Sequence, residues 1–588
     1  MYIFVSLIVF VFLPSIFALD SANLEKHLTY LASDKLEGRG PGTAGIDSAA
    51  NYIADVFKKN GLKPGGDDNS YFQKMNVKYG VKAGAENRLK FDGKSYQFDK
   101  SYVPLGFSGN GRVNGNIAFA GYGIVDDDFD AIDLTDKIAL ILTGLPEDND
   151  STESSNNTEE SIHANLRSKV INAKTRGAAA VIFIDPANPV EASDFLPALR
   201  SSRGYHDVGI PVIQMTRNAL RDALDENTLQ KLLKNTVSKQ QRNELLKNVR
   251  AELRVDLKAR EAALKNVIGI FPGSDDSLNQ APLIIGAHYD HLGYGGPGSK
   301  APGVHAIHNG ADDNASGVAA LLKLSEKFTK SDQEIKRPVV FIAFTAEEIG
   351  MIGSTYFVKH PLYPLEKVVA MLNLDTVGRM TENELIIFGS GTATQWQYIL
   401  NGYNHKHQLE LVLRPEGNSP SDHAIFYTHK IPVLHFFSGA NEDYHKPSDD
   451  VEKINFQGLT KIADFVFDVS QYLVQREEPL TFKVSGKERH QAVNRRSKAG
   501  NRPWLGTVPD FTYQKNDGLK LSGVSAGSPC EKAGLQPGDL ITRIDNTDIN
   551  SIYELNHVLK NHKPGDEILV TYLREGEKKT VEIVLAER

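Results

Sequence analysis

One cysteine, Cys530, stands among 588 residues. A single thiol excludes any internal disulfide and the cysteine-rich clusters that hold structural zinc. Stability must come from apolar cores and bound ions. Cys530 lies in AGSPCEKAGL with no candidate base near it, so it reads as a small packed side chain rather than a nucleophile. An excess of basic charge is missing too: the formal net charge is −8 and the pI about 6.1. That balance points away from nucleic acid. Beyond residue 19 no run is long and apolar enough to span a bilayer. The run from Tyr2 to Leu19 is the exception, broken by Pro14 and uncharged until Asp20. It reads as a secretory signal peptide, residues 1–18, cleaved after Ala18. An uncleaved anchor is the alternative. The expected protein is exported (periplasmic, secreted or surface-associated), with no stable membrane span after cleavage.

What is present is ordinary globular composition, 40% hydrophobic and 24% charged, over a length that calls for several domains. Residues 21–62 read as amphipathic helices around the turn LEGRGPGTAG, with Ile46, Ala49, Ile53 and Phe57 at helical spacing. From about 75 to 215 short strands such as KIALILTG and AVIFID flank the helix VINAKTRGAA, interrupted by the acidic loop EDNDSTESSNNTEES. Residues 217–265 are charged and helical in pattern. An α/β block follows from Asn266 to about Gln475, then a charged linker and a final block of short strands. The α/β block contains APLIIGAH, RPVVFIAFTA and VVAMLNLD, apolar runs suited to central parallel strands and separated by helical patterns. This predicts a doubly wound sheet with its site at the carboxyl ends of the strands.

Those ends carry the chemistry. LIIGAHYDH closes on His288 and Asp290, VVFIAFTAEE on Glu347 and Glu348, and VVAMLNLD on Asp375. The loop HNGADDNASG adds His308, Asp312 and Asp313 before a helix, and NEDYHKPSDD presents His445. Singly, each residue has a plainer reading as a solvated histidine, a helix N-cap or a carboxylate at a helix start. Together they would gather like charges at one sheet edge, a costly cluster unless a cation shares it. Histidine and carboxylate without thiolate suit catalytic zinc, with enough donors for two ions and a bridging carboxylate. One glutamate of the adjacent pair can bind metal while its neighbour serves as general base.

These blocks resemble the di-zinc exopeptidases of the bacterial leucyl-aminopeptidase type: His288-Tyr-Asp290, Asp313-Asn-Ala-Ser-Gly317, Glu347-Glu348, Asp375 and His445, in that family's order and approximate spacing. LTYLASDKLEGRGPGTAG is similar to its opening segment. The resemblance implies that two Zn2+ ions bind: His288 and Asp375 hold the first, Glu348 and His445 the second, and Asp313 bridges. It implies Glu347 as general base on a zinc-bridging water, Asp290 behind the His288 ring, Tyr444 at the oxyanion and a cis peptide after Asp313. Asp312, Asp422 and His423 are then structural. The implied substrates are peptides with a free amino terminus. The zinc exopeptidase fold implied is α/β, a doubly wound mixed sheet with helices on both faces.

The segment KIALILTG to GIPVIQM resembles a protease-associated domain, a β-rich insert that serves such enzymes as lid or docking surface. WLGTV and GVSAGSPCEKAGLQPGDLITRIDNTDI resemble a bacterial PDZ domain, departing at Thr507, where an apolar residue is commoner. Such a domain takes a peptide or protein ligand by strand addition. The expected order is signal peptide 1–18, first peptidase part 19–75, protease-associated insert with helical return 76–255, zinc peptidase domain 256–478, linker 479–502 and PDZ domain 503–588. The expected function is a di-zinc aminopeptidase. The alternatives are a dipeptidase or carboxypeptidase on the same fold, or a mainly peptide-binding PDZ protein with weak catalysis. A dead binding relative or a single-zinc cyclase would lack the full ligand set.

Overall fold

The computed structural model describes residues 16–124, 132–145, 165–186, 207–235, 245–296, 298–301, 304–485, 503–513, 515–525 and 527–587, with four isolated positions between 194 and 199. The apolar leader to residue 15, the acidic stretch EDNDSTESSNNTEES and most of the expected linker lie outside the described residues. Among the described residues no helix is long and apolar enough to cross a membrane.

The apolar runs of the α/β block become strands buried on both faces, as their β-branched and aromatic content favours. In chain order the sheet contains β1 (Lys63–Pro64), β2 (Phe72–Ala83), β3 (Leu257–Phe271), β4 (Leu283–His288), β5 (Val339–Phe344), β6 (Ala370–Leu374), β7 (Glu384–Phe388), β8 (Glu410–Leu413) and β9 (Val433–Phe437). Across the sheet the order is β1-β3-β5-β4-β6-β9-β7-β8, with β2 also on β3. The four central strands β5, β4, β6 and β9 run parallel, while β3 and β7 lie antiparallel to their central neighbours. The sheet is mixed, as expected.

Helices cover both faces. Leu283, Ile285 and Ala287 of β4 pack against α1 (Ile16–Leu31), α2 (Ala44–Lys59), α3 (Gly317–Thr329), α5 (Trp396–His407) and α7 (Phe456–Gln475). Ile284, one residue out of phase, faces the other way with Val340 and Ile342, towards α4 (Ile352–Lys359) and α6 (His423–Thr428). That alternation is the period of two expected of a strand. Ile46, Ala49, Ile53 and Phe57 of α2 are all buried, at the spacing read from the sequence.

Residues between β2 and β3 build a second, eight-stranded sheet. Its parallel centre is Gly111–Phe119, Ile138–Leu142, Ala180–Ile184 and Val212–Met215. Here the helical reading of 217–265 is corrected. Arg217–Ala223 and Glu226–Leu233 are helices, but Arg250–Val255 and β3 are strands. The charged residues misled because they alternate: Ala251, Leu253 and Val255 are buried while Arg250 is exposed and Glu252 and Arg254 are half-buried.

The last block is a six-stranded sheet, ordered Thr507–Pro509, Leu519–Val524, Leu540–Ile544, Glu567–Arg574 and Glu577–Val584, with Thr547–Asp548 also on the third. Thr507–Pro509 is an edge strand. Cys530 is fully buried in this core, and burial pushes its thiol up to about 12, so it is not a nucleophile. The turn after the edge strand touches the larger domain. Phe511 lies where a side chain at Gly350 would stand, and Lys359 pairs with Asp510 and donates to Thr512 at 2.6 Å.

Candidate metal centre

Four neighbouring parallel strands deliver polar residues to one edge. β4 ends on His288, β6 runs into Asp375, and β9 leads to the loop of His445. After β5 the left-handed Ala346 (φ 56°) turns the chain, and Glu347 and Glu348 follow. Asp313 lies in the tight turn Ala311–Ser316 that opens α3. A cis peptide joins Asp313 to Asn314, as the resemblance implied.

The side chains converge in two groups that share Asp313. His288 Nε2 is 3.3 Å from Asp313 Oδ1 and 3.4 Å from Asp375 Oδ1. His445 Nε2 is 3.1 Å from Asp313 Oδ2 and 3.2 Å from Glu348 Oε2. Each histidine is held through its other nitrogen. His445 Nδ1 donates to the Gly298 carbonyl at 2.8 Å, and His288 Nδ1 lies 3.2 Å from the Asp290 carbonyl oxygen. That leaves both Nε2 atoms free to face a cation. Ser421 and Thr376 hydroxyls donate to the two oxygens of Asp375 at 2.7 and 2.9 Å.

Electrostatics favour a cation between these groups. Asp290, Asp313, Glu348 and Asp375 sit within one largely buried cluster with Glu347. Despite burial, His291 and His445 hold Glu348 well below the usual carboxylate range, and His288 does the same for Asp375. Burial lowers His445, but hydrogen bonds to Asp313 and Glu348 outweigh it and raise the imidazole to about 10. The reverse holds at Glu347. Burial, with Glu348, Asp422 and Asp375 nearby, keeps its carboxyl well above the ordinary value against the pull of His288. Hard oxygen and imidazole donors, short separations and surplus negative charge fit two zinc-sized ions sharing one carboxylate.

Other residues take different positions. The Asp290 carboxylate is 3.9 Å from His288 Nδ1, and it accepts the amides of Glu347 at 3.0 Å and Glu348 at 3.3 Å. It braces the glutamate turn as well as standing behind the histidine. Tyr444 stacks on His445 with ring centroids 4.0 Å apart, and burial beside these carboxylates pushes its phenol up. His308 bonds to Ser299 Oγ and lies 2.9 Å from the Ala306 carbonyl oxygen. Asp312 accepts the Gly378 amide at 2.6 Å and Asn441 Nδ2 at 2.9 Å. Neither belongs to the two groups. His423 stacks on His435 at 4.5 Å, below the site.

Three residues here escaped sequence reasoning. Asp449 accepts the amides of Asp312 and Asp313 at 3.0 Å. His291 Nδ1 lies 2.7 Å from Glu348 Oε1. Arg39, buried, donates to the carbonyls of Tyr289 (2.9 Å), Leu31 (2.8 Å), Gly310 (3.0 Å) and Asn309. A lone arginine inside LEGRGPG, flanked by apolar helices, was the available signal for Arg39.

Residues 266–470 match peptidase family M28, 103–222 the PA domain and 506–585 the PDZ domain. Aminopeptidase YwaD of Bacillus subtilis is 29% identical over 237 residues, 38% of this chain and 48% of that protein. Leupeptin-inactivating enzyme 1 of Streptomyces exfoliatus is 29% identical over 189 residues, 32% and 38% of the two chains. The chain thus spans less than half the length of either curated relative. The solved structure of BSAP, a zinc aminopeptidase from Bacillus subtilis, superposes with a TM-score of 0.50 at 22% identity, covering 79% of this chain and 96% of that one. At that identity the likeness establishes the fold.

Proposed function

Starting from a chain that carries an M28 peptidase domain together with a PA domain and a C-terminal PDZ domain, we propose that it is a di-zinc aminopeptidase acting on peptides outside the cytoplasm. One observation carries the reading: Asp313 stands between two histidine–carboxylate pairs, one oxygen to each, with Glu347 beside them. The names of the aminopeptidase relatives agree with it. The apolar run Tyr2–Leu19 supports export.

In this reading His288 and Asp375 would hold one ion, Glu348 and His445 the other, and Asp313 would serve both. Zinc there supplies an acidified water and a Lewis acid for the scissile carbonyl. Glu347 takes the proton of the attacking water and returns it to the leaving amine, a task suited to a carboxyl whose proton affinity burial has raised. Asp290 fixes the turn from which Glu347 projects. The Tyr444 hydroxyl, kept protonated by its surroundings, donates to the developing oxyanion. The edge strand Thr507–Pro509 offers a peptide partner its unpaired backbone.

One defined peptide, offered free and acetylated at its amino terminus, tests the activity. Stepwise loss from the free form alone, followed by mass spectrometry, is the expected result. Loss from the carboxyl end of both forms would favour the carboxypeptidase alternative. No cleavage by protein shown to hold two zinc ions would favour a binding role built on the PDZ domain.

Metal uptake gives a second test. Against burial, Asp375 and Asp313 raise the His288 imidazole and Asp313 and Glu348 raise that of His445, so zinc would have to displace an Nε2 proton from each. Titration with zinc at pH 7.5 is expected to release about two protons per chain. Calorimetry repeated in buffers of different ionisation enthalpy reads that number, and affinity should weaken as pH falls.

A further inference from the structure

His291 stands three residues beyond His288, and the roles assigned so far leave it unused. It is fully buried. A buried histidine usually satisfies itself on backbone, as His308 does with the Ala306 carbonyl. His291 does not. Its Nδ1 is 2.7 Å from Glu348 Oε1, and its Nε2, also buried, has no hydrogen-bond partner among the described residues. Glu348 as a carboxylate can only accept, so Nδ1–H is the donor.

The two oxygens of Glu348 are thereby divided. Oε1 takes the His291 proton, while Oε2 lies 3.2 Å from His445 Nε2, on the side of the second cation position. His291 Nδ1 is also 3.9 Å from Asp313 Oδ2, so by spacing alone His291, Asp313 and Glu348 could share a cation; the short bond to Glu348 Oε1 is what engages Nδ1 instead. Its own position is fixed from three sides. The ring meets His445 edge-on, with centroids 5.8 Å apart at 72°. Its amide donates to the Arg39 carbonyl at 3.3 Å. Gly310, with φ 54°, leaves it room: a Cβ there would come within 2.6 Å of the imidazole and within 2.0 Å of the Asp313 carbonyl oxygen. An alanine at 310 would displace the ring or the bridging residue itself.

We infer that His291 is a positioning residue for the second zinc: by holding Glu348 Oε1 it presents Oε2 alone to the ion, and so sets the affinity and coordination of that site without ligating it. This rests on the two-zinc reading above. Partners of this kind act on metal affinity by about 10–100-fold.

Asparagine places an N–H where Nδ1 stands, whereas glutamine places one near Nε2. The test therefore compares His291→Asn, His291→Gln and His291→Ala in the full chain. Each is stripped of metal, checked for folding by thermal melting, and titrated with zinc and with cobalt. The expected result is two sites in the wild type. His291→Gln and His291→Ala should lose about 10–100-fold in affinity at the second site only, and change its cobalt d–d spectrum. His291→Asn should restore both affinity and spectrum. Equal second-site affinity in all variants would overturn the inference. So would a His291→Asn as weak as glutamine, which would point to the ring itself as a ligand. If alanine does not fold, the asparagine–glutamine pair still decides. A wild type that takes up fewer than two ions would instead overturn the two-zinc reading, before any variant is compared.

Discussion

Glu347→Gln is expected to lower kcat by about a thousandfold, within the range that a positioned general base supplies, and to leave zinc content and KM little changed. Glutamine is close to glutamate in shape, so the turn held by Asp290 survives: that turn is bonded through the backbone amides of Glu347 and Glu348, not through their side chains. What glutamine lacks is a site for the proton. Burial, with carboxylates nearby, keeps the proton affinity of the wild-type side chain high, which suits the base role proposed above. Its neighbour behaves in the opposite way. Despite burial, Glu348 is held well below the carboxylate range by His291 and His445, and it stands in a group that could hold a cation. Glu348→Gln should therefore reduce zinc content, whereas Glu347→Gln should not. Metal analysis of the two purified variants, beside steady-state rates on a free-terminus peptide, separates the roles. Zinc loss from Glu347→Gln would make that residue a ligand and leave the base unassigned.

Arg39→Ala is expected to be the most damaging change to stability outside the hydrophobic cores, by about 3–5 kcal/mol in the metal-free protein. The guanidinium is buried, and even after burial lowers it to about 10 it stays charged at neutral pH. It faces Asp313, Asp449, Asp290 and Glu348, and it satisfies carbonyls from the α1 helix, from the segment after β4 and from the loop before Asp313. Alanine would strand those carbonyls and remove the cluster's nearest permanent cation. Zinc compensates part of that charge, so the loss should shrink when the protein is loaded. Denaturant melts with and without zinc would show the difference. Equal losses in both states would mean that Arg39 acts only through its backbone contacts.

Much of this site was legible in the sequence because its framework is local. LIIGAH and VVFIAF are runs whose every residue is buried, and a polar residue directly after such a run can only lie at the sheet edge. The supporting residues were hidden because their partners are remote in sequence. His291 reaches Glu348 across 57 positions, and Arg39 reaches Tyr289 across 250. Neither distance has a periodic signature. The Asp290 carboxylate was expected behind His288, but a side chain's choice between a ring nitrogen and two amides depends on a turn that spacing does not describe. The strand residues from 250 to 265 read as helix because charge on alternate residues of a half-covered ribbon is easily taken for a solvated helix face.

The position of Arg39 also bears on synthesis. The guanidinium and the α1 and α2 helices leave the ribosome well before β4 and β5, and His445 and Asp449 emerge only after the whole inserted sheet. At 5–20 residues per second that interval is on the order of half a minute. Until β4 and β5 follow, the apolar faces of α1 and α2 have no sheet to cover, and until Asp449 follows, Arg39 lacks part of its acidic surroundings. The inserted sheet, with parallel neighbours close in sequence, can fold meanwhile. A nascent chain arrested before β4, with α1 and α2 made, should therefore bind holdase chaperones through those helices.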